Sequence, residues 1–273
     1  MNAFVCSLAS GSLGNALLVS TDRVRLLVDC GLSRRRLKAA LAAAGAAPED
    51  IRGVLLTHTH HDHFSSSAAA FCRARGIPVY STEDNLAHLA YDLGGFAELV
   101  ASGLAQPIDG EPLHIGNVTV EAFPVPHDAA GQCLGFRLTM GGPHRRRAVA
   151  VATDLGHMPA ACLPAFLDAD AVVLESNHDP RLLRQSGRPP DLIERIAGPH
   201  GHLSNGACAE ALAEIAGRSH PGRLRSVTLA HLSRDCNRPR LALAAQTPLA
   251  KNSSHPIRFT AASQEDVGPS IEL

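Results

Sequence analysis

Residues 58–63 read His-Thr-His-His-Asp-His, four histidines and an aspartate in six positions directly after an apolar run. Buried ring nitrogens without partners are costly, so this density of imidazole asks for something that satisfies them, and a divalent metal does. Alternation along a strand end puts His58 and His60 on one side. Asp62 and His63 follow where the chain must turn and face a second position, while His61 alternates away and is left out. Two neighbouring metal positions suit this pattern better than one, because a mononuclear tetrahedral site needs only three or four protein ligands. Other apolar strands stop at ligand-type residues: Val118–Pro124 runs on to His127, Ala148–Thr153 to Asp154, and Ser226–Ala230 to His231. One histidine at one strand end is ordinarily a hydrogen-bonded surface residue; three such strands together with residues 58–63 form a constellation.

The elements that must position these residues follow from hydrophobic spacing. Strands are predicted over Phe4–Leu8, Ala16–Ser20, Arg25–Asp29, Gly53–Thr57, Val79–Ser81, Val118–Pro124, Leu134–Met140, Ala148–Thr153, Ala171–Glu175 and Ser226–Ala230. Helices are predicted over Ser33–Ala44, Ser66–Arg75, Glu83–Tyr91, Pro159–Phe166, Asp191–Ile196 and Asn205–Ala216. The strands come first at hairpin spacing and then with helices between them, which argues a layered α/β domain rather than a barrel. After Gln246 the pattern fades, and the segment reads as a surface tail ending in one short strand around Ile257–Thr260. A single domain over residues 1–273 is expected.

Composition bounds the function classes. Hydrophobic residues make up 45% of 273 positions, which is enough for a sizeable core. The first residues carry no basic segment leading into a long apolar one, and no window approaches the roughly eighteen apolar residues of a membrane span. Seven scattered cysteines without a Cys-x-x-Cys point to reduced thiols and a cytoplasmic setting. A net charge of −1 advertises no global field for nucleic acid. The triplets Arg34–Arg36 and Arg145–Arg147, and the arginines 181, 184, 234 and 238, could still form a local stripe. Read alone, each triplet is a solvated helix face or a hairpin flank.

The ligand pattern resembles that of the metallo-β-lactamase-fold hydrolases. The resemblance implies a four-layer αββα fold of the α/β class, with His58, His60 and His127 on a first metal, Asp62, His63 and His231 on a second, and Asp154 bridging. It also implies that Asp62 belongs to the catalytic groups and that Asp29, in LLVDCG, sits beneath the histidine loop and orients a ligand. The stretches SLASGSLGN (7–15), LESNHDP (174–180), GHLSN (201–205) and LAHLS (229–233) resemble the YycJ/WalJ group within that superfamily. That group is proposed to contain nucleases, including a double-strand-specific 5′→3′ DNA exonuclease. Only 27 positions separate His127 from Asp154, too few for the long arm of tRNA-processing relatives. The 77 from Asp154 to His231 leave no space for an inserted cap domain. The chain has no Ser-x-x-Lys, and the Asp154 carboxylate is one that metallo-β-lactamases proper generally lack.

On this reading two divalent ions, zinc or manganese, share Asp154 and a water whose pKa falls toward ~7, so that a metal-bridged hydroxide attacks a phosphodiester. Five imidazoles and two carboxylates suit zinc, iron or nickel by softness, whereas manganese prefers oxygen. His202 resembles the histidine that tRNA-processing relatives hold beside the scissile phosphate and is the candidate proton donor. Ser10, Ser12 and Asn15, in a tight turn, are candidates for hydrogen bonding to phosphate. His178 is a candidate cleft residue, and Asp179 either lines the cleft or initiates the helix after it. The expected substrate is DNA. Two other readings remain open: a hydrolase of a small phosphodiester, thioester or lactone, and a metal-stabilised regulatory protein without turnover.

Overall fold

The computed structural model describes residues 3–141 and 146–273. The strands are β1 (Phe4–Ala9), β2 (Ala16–Ser20), β3 (Arg25–Val28), β4 (Ile51–Leu55), β5 (Val79–Ser81), β6 (Ala105–Pro107), β7 (Leu113–Ile115), β8 (Val118–Pro124), β9 (Leu134–Met140), β10 (Arg147–Ala152), β11 (Ala171–Glu175), β12 (Ser226–Ala230), β13 (Arg258–Ala261) and β14 (Ile271–Glu272). They form two sheets, ordered β14-β1-β2-β3-β4-β5-β6 and β13-β12-β11-β10-β9-β8-β7. The helices are α1 (Arg34–Ala43), α2 (Ser66–Arg75), α3 (Glu83–Asp92), α4 (Phe96–Ala101), α5 (Leu163–Phe166), α6 (Pro180–Arg184), α7 (Pro190–Ala197), α8 (Asn205–Arg218), α9 (Pro239–Ala245) and α10 (Thr247–Asn252).

Side-chain alternation explains the layering. Val19, Leu26 and Val28 of the first sheet face Leu138, Val149, Val151 and Val173 of the second, and these make the central core. Leu18, Leu27 and Val54 point the other way and are covered by Leu37 and Leu41 of α1, Phe71 of α2 and Phe96 and Leu99 of α4. On the outer face of the second sheet, Ala150, Val172, Leu174, Val227 and Leu229 pack with Phe166 of α5, Leu212 and Ile215 of α8 and Ala242 of α9. The result is helix, sheet, sheet, helix, the four-layer αββα arrangement. No helix among the described residues is long and apolar enough to cross a membrane.

Two expectations need correction. The segment after Gln246 is no surface tail: α10 follows at once, β13 pairs with β12, and β14 crosses to pair with β1. Gln246 and Gln264 are both buried. The strand predicted over Gly53–Thr57 is β4, which spans Ile51–Leu55. It stops before Thr57 because the Thr57 N–H turns to the Asp29 carboxylate at 2.9 Å.

Candidate metal centre

Strand ends of both sheets meet at one spot. β3 delivers Asp29, β4 delivers the 58–63 loop, β10 delivers Asp154 and β12 delivers His231. At Asp29, Asp154 and His231 the backbone turns sharply, with φ of 61°, 58° and 53°. Few residues other than glycine adopt this left-handed region, Asp and His more readily than most, so each strand ends in an uncommon turn that carries a functional group. The 58–63 loop is held against the first sheet by the close approach of Gly31: a Cβ there would lie 1.7 Å from the Asp62 carbonyl oxygen.

The ligand-type atoms fall into overlapping groups. His58, His60 and His127 each offer an atom within 4.8 Å of the others, as do Asp62, His63 and His231, and Asp154 joins His58 and His63 in a third such set. Asp154 Oδ2 lies 3.2 Å from His63 Nε2, and Asp154 Oδ1 lies 3.3 Å from His231 Nδ1. The rings of His58 and His127 stand 5.2 Å apart, centre to centre. His63 donates from Nδ1 to Asp29 Oδ2 at 2.7 Å and His127 from Nδ1 to the Gly201 carbonyl at 3.0 Å, so each ring turns Nε2 toward the cluster; that of His127 is unpartnered among the described residues, and that of His63 meets the Asn15 amide nitrogen at 2.9 Å.

Three buried atoms in this cluster, His127 Nε2, Asp154 Oδ2 and His231 Nε2, have no hydrogen-bond partner among the described residues. Atoms of this kind normally have one, and all three are ligand types of the right chemistry for a divalent ion. The electrostatics agrees. Burial alone would keep His63 neutral, but Asp29, Asp154 and Asp62 outweigh it and hold its pKa well above the ordinary histidine range. The pKa of His231 is pushed up to about 10 against its burial, chiefly by Asp154. His58, buried among other histidines, is driven well below its ordinary value. Burial opposes the charge on Asp62 as well, yet His63 draws its pKa down to about 2. The carboxylates thus demand positive charge at the centre, and a divalent ion supplies it with fewer protons bound to the imidazoles.

Sequence reasoning missed Glu175, the last residue of β11. Its fully buried carboxylate accepts from His202 Nδ1 at 2.8 Å and His231 Nδ1 at 3.0 Å through Oε1, and from the backbone N–H of Leu155 and Leu203, each at 3.0 Å, through Oε2. One carboxylate therefore fixes a candidate metal ligand and the candidate proton donor together. Burial disfavours the charged form of His202, but Glu175 beside it wins and raises its pKa. The signal was available: a lone acid closing an apolar strand is the pattern that singled out Asp154.

The weaker candidates fall in different places. Ser10 is buried, with its hydroxyl accepting from the His231 N–H at 2.8 Å. Asn15 is buried as well and donates to the Asp62 carboxylate at 3.3 Å. Both act on the cluster residues themselves. Ser12 is exposed on the turn, as is His61 on its loop. His178 is buried but belongs to none of the ligand groups. Asp179 accepts from the N–H groups of Arg181 and Leu182 and so caps α6, the local role considered for it. Asp128, beside His127, pairs with Arg195. Arg147 is no free cation for phosphate: with Arg223 and Arg225 it surrounds buried Asp170. Arg145, in the same triplet, lies outside the described residues.

Comparison with known proteins decides the family. A beta-lactamase superfamily domain model matches residues 24–222. The chain belongs to the beta-lactamase superfamily. Within it, membership of the YycJ/WalJ group is shown by 34% identity over 239 residues to exodeoxyribonuclease YycJ of Bacillus anthracis, covering 86% of this chain and 84% of that one. Exodeoxyribonuclease WalJ of Streptococcus pneumoniae is 31% identical over 236 residues, covering 86% and 83%. Among solved structures, the metallo-beta-lactamase fold protein YhfI from Bacillus subtilis superposes with a TM-score of 0.68 at 17% identity, covering all of both chains, a likeness of fold. This superfamily membership, with the His/Asp cluster at the strand ends, makes the chain a metal-dependent hydrolase.

Proposed function

We propose that this hydrolase is a DNA exonuclease with a binuclear metal centre, acting on double-stranded DNA in the 5′→3′ direction. The observation that carries the reading is the meeting of His58, His60, Asp62, His63, His127, Asp154 and His231, with buried ligand atoms left unbonded. The names of the YycJ and WalJ relatives supply the substrate class. His58, His60 and His127 would hold one ion, Asp62, His63 and His231 the other, and Asp154 both, with zinc or manganese the candidates. When bound, such ions lower the pKa of a water and neutralise charge on a phosphoryl group.

The chain's own residues do the rest. Asp29 holds the proton on His63 Nδ1, and Glu175 holds those on His202 and His231, so that each ring presents Nε2. His202 is partly exposed at the edge of the cluster, Glu175 beside it raises its pKa, and its role is to deliver a proton to the departing oxygen. The whole chain is taken as one domain, 1–273, a reading supported by β14, which adds the C-terminal residues to the first sheet. All seven cysteines are buried and unpaired, which supports a reducing, cytoplasmic setting.

The test is hydrolysis of 5′-labelled double-stranded DNA, single-stranded DNA, RNA and bis-p-nitrophenyl phosphate by metal-stripped protein, with zinc or manganese restored and Asp154→Ala as control. Metal-dependent shortening of duplex DNA that Asp154→Ala loses is the expected result. Cleavage of the small diester alone would overturn the DNA reading.

A further inference from the structure

Beside the centre, on the outer side of Asp62, lies a cleft of about 350 Å³ that the catalytic reading does not use. Its walls come from the turn after β1 (Ser12, Leu13), the first turn of α1 (Arg36), His61, Asp62 and the first turn of α2 (Ser66). Arg36 is half-buried, and no carboxylate lies within ion-pair distance of it among the described residues. Its guanidinium is held instead by two neutral acceptors, the Leu13 carbonyl at 2.8 Å and the Gln264 carbonyl at 2.6 Å. A cation fixed in place without a counter-charge on a cleft wall is a ready partner for an anion. The hydroxyls of Ser12 and Ser66 and the ring of exposed His61 make no hydrogen bond among the described residues and complete a set of donors. The one acidic wall is Asp62, whose charge belongs to the metal cluster.

We infer that this cleft binds a phosphate group of the nucleic-acid strand whose neighbouring phosphodiester lies at the metal cluster. The inference rests on the DNA reading above and adds to it the place where the strand is gripped. Arg36 supplies the charge, Ser12 and Ser66 supply hydrogen bonds, and exposed Leu13 offers apolar contact to the adjoining nucleoside. The phosphate is either a terminal monoester or an internal diester. A terminal monoester, with its larger charge, would make the cleft a reader of strand ends.

Fluorescence anisotropy with a labelled duplex blocked by phosphorothioate linkages, in 5′-phosphate and 5′-hydroxyl forms, tests this on the metal-loaded protein. Ser66→Asp and Ser12→Asp place a negative charge on exposed cleft positions, and Arg36→Gln removes the cation. Ser254→Asp, an exposed serine outside the cleft, makes the same charge change and serves as reference. Each cleft variant is expected to weaken binding by about tenfold or more relative to Ser254→Asp. Loss confined to the 5′-phosphate duplex assigns a terminal monoester, and equal loss on both assigns an internal diester. If wild-type protein binds and degrades duplex DNA while the cleft variants match Ser254→Asp, the cleft inference is wrong and the nuclease reading stands. If wild-type protein neither binds nor degrades DNA, both readings fall.

Discussion

Replacing Glu175 by glutamine keeps its shape and removes its ability to accept on both sides. Oε1 receives two imidazole N–H groups and Oε2 two backbone N–H groups, all at 2.8–3.0 Å and all buried except the His202 bond, which is part-buried. A carboxamide must turn its NH2 toward one of these pairs, leaving two buried donors facing a third. Each donor left unsatisfied costs about 1–3 kcal/mol, or roughly 2–6 kcal/mol for the pair. Relief from burying a charge offsets part of this, so a net loss of about 2–4 kcal/mol is expected, lowering Tm by on the order of 5–10 °C. If the amide faces the imidazoles, His202 and His231 lose their common anchor. Turnover should then fall about 10–100-fold, the usual consequence of removing an orienting partner, with metal content reduced in parallel. Differential scanning fluorimetry, metal analysis and single-turnover hydrolysis would measure the three effects. A Glu175→Gln protein with wild-type Tm, metal content and rate would show that neither ring depends on this carboxylate.

Asp29→Asn should lower metal affinity about 10–100-fold by loosening His63, read by competition with a chelating indicator. Gly31→Ala forces the chain away from the Asp62 carbonyl and should cost about 3 kcal/mol in urea unfolding, with loss of metal content. Burial pushes the pKa of His178 down to about 4. Because the folded value lies below the unfolded one, the unfolded chain takes the proton first and stability falls as pH drops below about 6.5. Near pH 5 the penalty is about 2 kcal/mol. His178→Gln should remove that part of the difference between urea midpoints at pH 7 and pH 5, and an unchanged difference would exclude His178 as its source.

Much of this was legible because chemistry and periodicity coincide. Residues 58–63 are too dense in imidazole to be incidental, and His127, Asp154 and His231 each end a run apolar enough to mark a strand. The alternation of Val149, Ala150 and Val151 shows in the sequence which side chains can share a layer, though not which sheet they face. What escaped has physical causes. β14 spans only two residues, and β6 and β7, as short as β5 but at exposed sheet edges, have no buried apolar run to mark them. β14 exists by pairing with β1 at the other end of the chain, a contact that no local pattern encodes. Glu175 closes the apolar run of β11, a signal present in LESNHDP, but its partners Leu155, His202, Leu203 and His231 come from distant segments that no local pattern shows. Arg147 reads as a free cation until Asp170 is seen among three arginines.

The left-handed backbone at Asp29, Asp154 and His231 has an evolutionary consequence. Each costs on the order of 1 kcal/mol relative to glycine, which adopts this conformation freely, so glycine at these positions would be favoured by a screen for thermal tolerance alone. Such a screen would drift toward sturdier, inactive descendants by acting on the strand ends themselves. Directed evolution of this scaffold therefore needs selection on turnover in every round, and the three positions are natural ones to hold fixed in any library.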